Sequence, residues 1–136
     1  LLSDTLYSLQ AGTLQRVPQE DGESTYAPML DKSLCPIDWS KPAREIHNQI
    51  RGLSPWPVAV TSLSGKRMKV HGSRMTGRES TLPYGTVTGV DGEICVACGD
   101  GAVLSLLCIQ AEGGKRMDAS DYLRGHPIPK GTRLGE

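Results

Sequence analysis

A chain of 136 residues with 15 basic and 15 acidic side chains, no phenylalanine and two tryptophans is large enough for one ordinary domain with a modest core. It contains no run of roughly 18 apolar residues, which excludes a transmembrane helix, and its Leu1-Leu2 start lacks the basic flank of a signal peptide. Sixteen glycines and nine prolines point to a turn-rich chain of short strands and away from a helical bundle.

The sequence starts Leu-Leu-Ser-Asp without an initiator methionine, as an excised piece of a longer protein would. Residues 3–11 have helical spacing, with Leu2, Leu6 and Leu9 on one stripe, Ser3 as the expected cap and Gly12 as the stop. That stripe is amphipathic yet isolated, so its apolar side needs a partner, for which a further domain is one candidate. Val17 to Lys32 carries "PQEDGESTYAPML", which has no period and is expected to form an extended connector anchored by Tyr26 and Pro28.

A second helix is expected over residues 41–51. Ser40 is a suitable N-cap, Pro42 fits the first turn, and Ala43, Ile46, His47 and Ile50 share a face. Gly52 stands where a left-handed stop is expected. His47 on that face is read as a packed histidine in preference to a ligand. Then Trp56 appears between Pro55 and Pro57, which fix φ and bias their neighbours toward extended backbone. Placed between a helix stop and an apolar strand, Trp56 is expected to be a core rivet where helix meets sheet.

From Val58 the period changes to two. Strands are expected over residues 58–63 and 66–72, joined by a Ser64-Gly65 hairpin turn, followed by a polar loop over 72–83. Three further strands are expected over residues 85–90, 93–97 and 102–110, linked by Asp91-Gly92 and Gly99-Asp100-Gly101. Five short antiparallel strands with glycine corners suggest a small closed barrel, because closure removes exposed edges. A short helix opening at Asp118, with Asp121 as a capping-box-like partner, should stop at Gly125.

The charges are unevenly placed. Residues 1–50 carry four basic and seven acidic side chains, and residues 51–136 carry eleven and eight. Lys66, Arg67, Lys69, Arg74 and Arg78 form an acid-free run that suits phosphate and suits a solvated strand face about equally on charge alone. "GKRM" recurs at residues 114–117, where Lys115 and Arg116 form a possible second contact, though the unrelated flanks make the repeat a coincidence. Cys95 and Cys98 imitate a zinc knuckle, but Cys35 and Cys108 are isolated, so no metal is expected and Cys95 and Cys98 should face opposite sides of one strand. Four free thiols without a signal peptide fit a cytoplasmic protein. No nucleophile, base and acid occur at a recognisable catalytic spacing, and neither a P-loop nor a dinucleotide fingerprint is present.

"IDWS" at residues 37–40, "NQIRGLSPWP" at 48–57 and "VACGDGAVLSLLCIQAEGGKRMDASDYLRGHPIPKGTRL" at 96–134 resemble the C-terminal domain of the methionyl-tRNA formyltransferase family. The likeness runs in order through nearly the whole chain, with "STYAPML" at 24–30 similar to the family's connector. Val58 stands where that family commonly has glycine, and residues 73–83 match loosely. The resemblance implies a mainly β, OB-like five-stranded barrel with short flanking helices and an extended N-terminal arm. It implies residues 1–33 as the tail of a catalytic domain plus linker, and 34–136 as a tRNA-binding domain. Catalytic residues and the 10-formyltetrahydrofolate site would lie in the upstream domain, so this chain is expected to hold no cofactor and to be inactive alone. Its expected partners are initiator methionyl-tRNA, met through phosphates by Lys66, Arg67, Lys69, Arg74, Arg78, Lys115 and Arg116, and its own catalytic domain. The alternative is the equivalent packing barrel of another folate-dependent formyltransferase acting on a small amino-sugar substrate, which zero net charge favours.

Overall fold

The computed structural model describes residues 1–90 and 92–136. Its elements in chain order are α1 (Leu2–Gln10), α2 (Ala43–Gly52), β1 (Ala59–Leu63), β2 (Lys66–Glu79), β3 (Val87–Gly89), β4 (Ile94–Ala97), β5 (Ala102–Ala111), β6 (Met117–Asp118) and α3 (Ala119–Gly125). The strands pair antiparallel in the order β1-β2-β5-β4-β3, with β6 on β5, and curl into a half-barrel. The mainly β architecture with three short helices is the one expected.

Ile94, Val96, Leu104, Leu106, Ile109, Met68 and Val70 fill the concave side, and α2 lays Ala43, Ile46 and Ile50 onto them. α3 adds Ala119 and Tyr122, whose ring stacks on His126 with centroids 4.5 Å apart. Nothing is buried before Cys35, so α1 and the connector lie outside this core.

β1 and β3 are the two edges of the sheet, and residues 131–135 are sewn between them. Thr132 O accepts from Val87 N–H, Leu134 N–H donates to Gly85 O, and Gly135 N–H donates to Ser62 O. Residues 35–37 also run along β1, where Ile37 N–H and Val60 O pair at 2.8 Å. The edges are thus covered by short segments from both ends of the domain.

The Ser64-Gly65 turn has positive φ at both residues (51° and 75°), as a tight hairpin requires. Gly92 takes φ 74°, while Asp91, the other half of that expected turn, lies outside the described residues.

Several local expectations are corrected. The polar stretch after Gly72 is not a loop. β2 continues to Glu79 because β5 is long enough to pair with it, through irregularities at Val70/Gly72 and Met75/Glu79. Trp56 is not a core rivet, since it is 60% exposed. Residues 53–58 close on themselves through Val58 N–H to Leu53 O (2.9 Å), and Pro55-Trp56-Pro57 forms the tip of that turn. The peptide bonds before Pro55 and Pro57 are cis, and Val58 has φ 73°, a region that favours glycine.

The aromatic rivet is Trp39, which is 4% exposed. Gly52 does not turn left-handed. The helix runs on to Leu53 in right-handed geometry, and the reversal is made by the following turn. Ser40 does not cap α2, because its hydroxyl donates to Asp38 at 2.6 Å and Pro42 occupies the N-cap position. The cap comes from across the fold, with the Asp100 carboxylate accepting from Ala43 N–H at 3.2 Å. Ser3 and Asp121 likewise make no capping bond, and Asp121 pairs with Arg124 instead.

Candidate functional site

The convex side of the sheet carries the cations. In β2, Met68 and Val70 point inward, so Arg67, Lys69 and His71 point outward. Unbroken alternation would turn Arg74 inward. Both strands instead slip a residue at this point: Val70 pairs with Ile109, Gly72 with Cys108 and Ser73 with Leu106, so His71 and Leu107 are passed over. The slip puts Arg74 opposite Ser105 and returns it to the outer face.

Around this row the neighbours differ. His71 Nε2 lies 3.3 Å from Gln110 Oε1, and Gln110 Nε2 donates to Gly114 O in the turn that carries Lys115 and Arg116. Arg116 Nε donates to Cys108 Sγ at 3.1 Å, which folds the guanidinium back over β5. Burial holds the His71 imidazole below its ordinary range against the opposing bond to Gln110, and the charges of Arg116 and Lys69 depress it further. Lys69 and Arg116, 47 residues apart in sequence, therefore act on one imidazole. Arg67, Lys69, Gln110 and Glu112 also share a shallow cleft, with Glu112 its only acid.

The seven expected contact residues are not equivalent. Lys66 and Arg67 are exposed at the hairpin, Lys69 is half-buried, and Lys115 and Arg116 are exposed on the adjoining turn. Arg74 is exposed but engaged: its NH2 donates to both Glu93 oxygens, at 2.8 and 2.6 Å. Glu93 also accepts from Ser105 Oγ at 2.5 Å, and the Ser105 hydroxyl followed by Arg74 holds its carboxyl below the ordinary range. Arg78 lies at the far end of β2, in a separate cleft of about 690 Å³ with Lys130, Glu79 and Asp100. The outer face thus brings together Arg67, Lys69, His71 and Arg116, neutralises Arg74, and leaves Arg78 in the far cleft, from which its charge still acts on Glu93.

Glu93 escaped sequence reasoning because it meets Arg74 from 19 residues away, and Lys130 because only the fold brings it into the cleft with Arg78; Arg116 owes its place beside His71 to the β5–β6 pairing. Among the described residues no group of three or more His, Cys, Asp or Glu could hold a metal ion. Cys98 sits in the core cluster with Ile94 and Val96, and Cys95 does not. No described helix is long and apolar enough to cross a membrane.

Residues 29–127 match the family model described as formyl transferase, C-terminal domain. The chain belongs to that family. It is 48% identical over 136 residues to methionyl-tRNA formyltransferase of Trichlorobacter lovleyi, covering 98% of this chain and 42% of that one. It is 42% identical to the enzyme of the same name from Acetivibrio thermocellus, over 100% of this chain and 44% of that one. The chain therefore spans less than half the length of these relatives. Its fold is shared more widely. HypX from Aquifex aeolicus superposes with a TM-score of 0.59 at 13% identity, covering 95% of this chain and 23% of that one.

Proposed function

We propose that residues 34–136 are the tRNA-binding C-terminal domain of a cytoplasmic methionyl-tRNA formyltransferase, and that residues 1–33 are the tail of its catalytic domain and the linker. In this reading the domain grips initiator methionyl-tRNA by its phosphates while an upstream domain, using 10-formyltetrahydrofolate, formylates the amino group. The supporting observation is the strand slip, which aligns Arg67 and Lys69 with Arg74 on one face beside Arg116. Relatives named methionyl-tRNA formyltransferase, 40–48% identical to the chain, give the same direction.

Each cation that neutralises a phosphate releases a condensed counterion, so affinity must fall as salt rises. The 136-residue chain should bind tRNA weakly, with Kd on the order of 10⁻⁴–10⁻⁶ M at physiological salt. The paired Arg67→Ala and Lys69→Ala changes should weaken initiator and elongator tRNA alike and flatten the slope of log K against log salt. A chain whose tRNA binding ignores salt, or a double variant that binds as before, refutes the phosphate grip. Such a result favours the packing role in a formyltransferase for a small amino-sugar substrate, in which Glu93 neutralising Arg74 would be the expected arrangement.

A further inference from the structure

Trp56 has no place in the core and none in the cation row, yet its position is tightly specified. Prolines on both sides fix φ, and the six-residue turn that carries it is closed by the bond from Val58 N–H to Leu53 O. A large indole held out at 60% exposure on a rigid tip is a platform with no ring or cation partner among the described residues.

Its surroundings identify the chemistry of that partner. Ala59 pairs with Val70, so the chain entering β1 passes beside His71, and Trp56 lies three residues before Ala59, within about 11 Å of it. Ser54, on the same turn, lines a cavity of about 340 Å³ with His47, Arg51, His71 and Ser73, and no acidic side chain lines it. His47 Nδ1 and Ser73 Oγ are 2.9 Å apart on its wall. Lys69 and Arg116 act on the same His71. The turn that carries the indole therefore borders, through Ser54, a cavity lined by Arg51 and by no acid. A partner that offers both an aromatic face and negative charge is a nucleotide.

We propose that Trp56 stacks on an unpaired base of the bound RNA, beside phosphates drawn to Arg51, Lys69 and Arg116. The proposal rests on the reading of this domain as an RNA binder. Stacking on an indole tolerates any base, so it adds affinity without sequence preference and without changing the number of counterions released.

That last property separates the two ideas experimentally. Binding of tRNA to wild type, Trp56→Ala and Trp56→Phe is measured across a salt series, with indole emission followed in parallel; Trp39 is buried, so quencher-accessible emission belongs to Trp56. Trp56→Ala should bind roughly 5- to 100-fold more weakly at every salt with an unchanged slope, and Trp56→Phe should recover part of the loss. Wild-type emission should be quenched by tRNA, and a blunt RNA duplex should bind wild type and Trp56→Ala alike. Unchanged affinity in Trp56→Ala, with emission unquenched by tRNA, overturns the stacking role and leaves the phosphate grip standing. Protection of Trp56 from acrylamide in the full-length enzyme without RNA overturns it in favour of docking on the catalytic domain. Absence of any salt-dependent binding by wild type overturns both readings.

Discussion

The indole nitrogen of Trp39 donates to Thr61 Oγ1 at 3.0 Å, and both residues are buried. This bond joins the segment before α2 to β1, and Gly85 and Gly135 pack against the ring, each too close to admit a Cβ without displacing a neighbour. Trp39→Ala should cost about 3–5 kcal/mol in urea unfolding, as for other large core truncations. Trp56→Ala, at the exposed tip, should shift stability by no more than about 0.5 kcal/mol. Equal losses for the two variants would contradict these placements.

Gly99 approaches Ser40 so closely that a Cβ would fall 1.6 Å from the Ser40 carbonyl oxygen. Gly99→Ala must therefore push the β4–β5 turn away from Ser40, in the segment that leads into α2, at a cost of about 3 kcal/mol. Asp100→Ala removes the distant cap at Ala43 and should cost about 1 kcal/mol. Thermal unfolding of both variants checks the order, which reverses if the turn is free to move.

If the outer face grips RNA, Glu93 competes with phosphate for Arg74. Glu93→Gln should strengthen tRNA binding and steepen the salt slope by up to about 0.9, one further phosphate contact. Arg74→Ala in the wild-type background should flatten the slope less than Lys69→Ala. A weaker-binding Glu93→Gln variant would show instead that the pair positions Arg74 for its contact.

His71 titrates below its ordinary value of 6.5 in the fold. The unfolded chain therefore takes up this proton first as pH falls. Stability should be constant with respect to this group above about pH 6.5 and decline below it, until the folded imidazole also protonates. Urea midpoints between pH 7.5 and 5 should show the decline, and His71→Asn should remove that part of it. RNA binding should run the other way, tightening as His71 gains charge beside phosphate. A midpoint curve identical in the variant would rule out His71 as its source.

Thiol reactivity should divide the cysteines. Cys108 is the part-exposed one, while Cys35, Cys95 and Cys98 are 2%, 6% and 2% exposed. Burial, with Asp100 nearby, pushes the Cys98 thiol up to about 12, so almost none of it is thiolate at neutral pH. Iodoacetamide should label Cys108 first in the native chain, located by peptide mass mapping. Labelling of Cys98 at a comparable rate would contradict its packing.

What was legible from sequence followed from short-range physics. The Ser64-Gly65 hairpin, the inward Met68 and Val70, the pairing of Arg67 with Lys69 on one face, and the apolar stripe of α2 all depend on residues a few positions apart. The misjudged features depend on distant partners. Ser40 is a plausible cap until Asp38 takes its hydroxyl and Asp100 arrives from a turn 57 residues away. The core position expected for Trp56 belongs to Trp39, whose partners Thr61, Gly85 and Gly135 are all remote in sequence. The far half of β2 was hidden because its slips at Val70/Gly72 and Met75/Glu79 break the alternation by which strands are recognised. Those slips also decide which cations share a face, so the candidate site was readable as a list of charges and unreadable as a surface.

The stitch of residues 131–135 between β1 and β3 has a consequence for how the domain comes into being. Protein synthesis runs from the N-terminus at roughly 5–20 residues per second, so β1 to β5 are complete while the segment that covers their edges is still being made. During that interval Ser62, Gly85 and Val87 present backbone groups that only the late segment satisfies. A nascent chain interrupted before Gly131 would carry an open β3 edge and a β1 edge covered only at Val60, by residues 35–37, and such edges invite pairing with a second chain. Completion of the barrel is therefore a late, long-range event, with Ser62 waiting for a residue 73 positions further along.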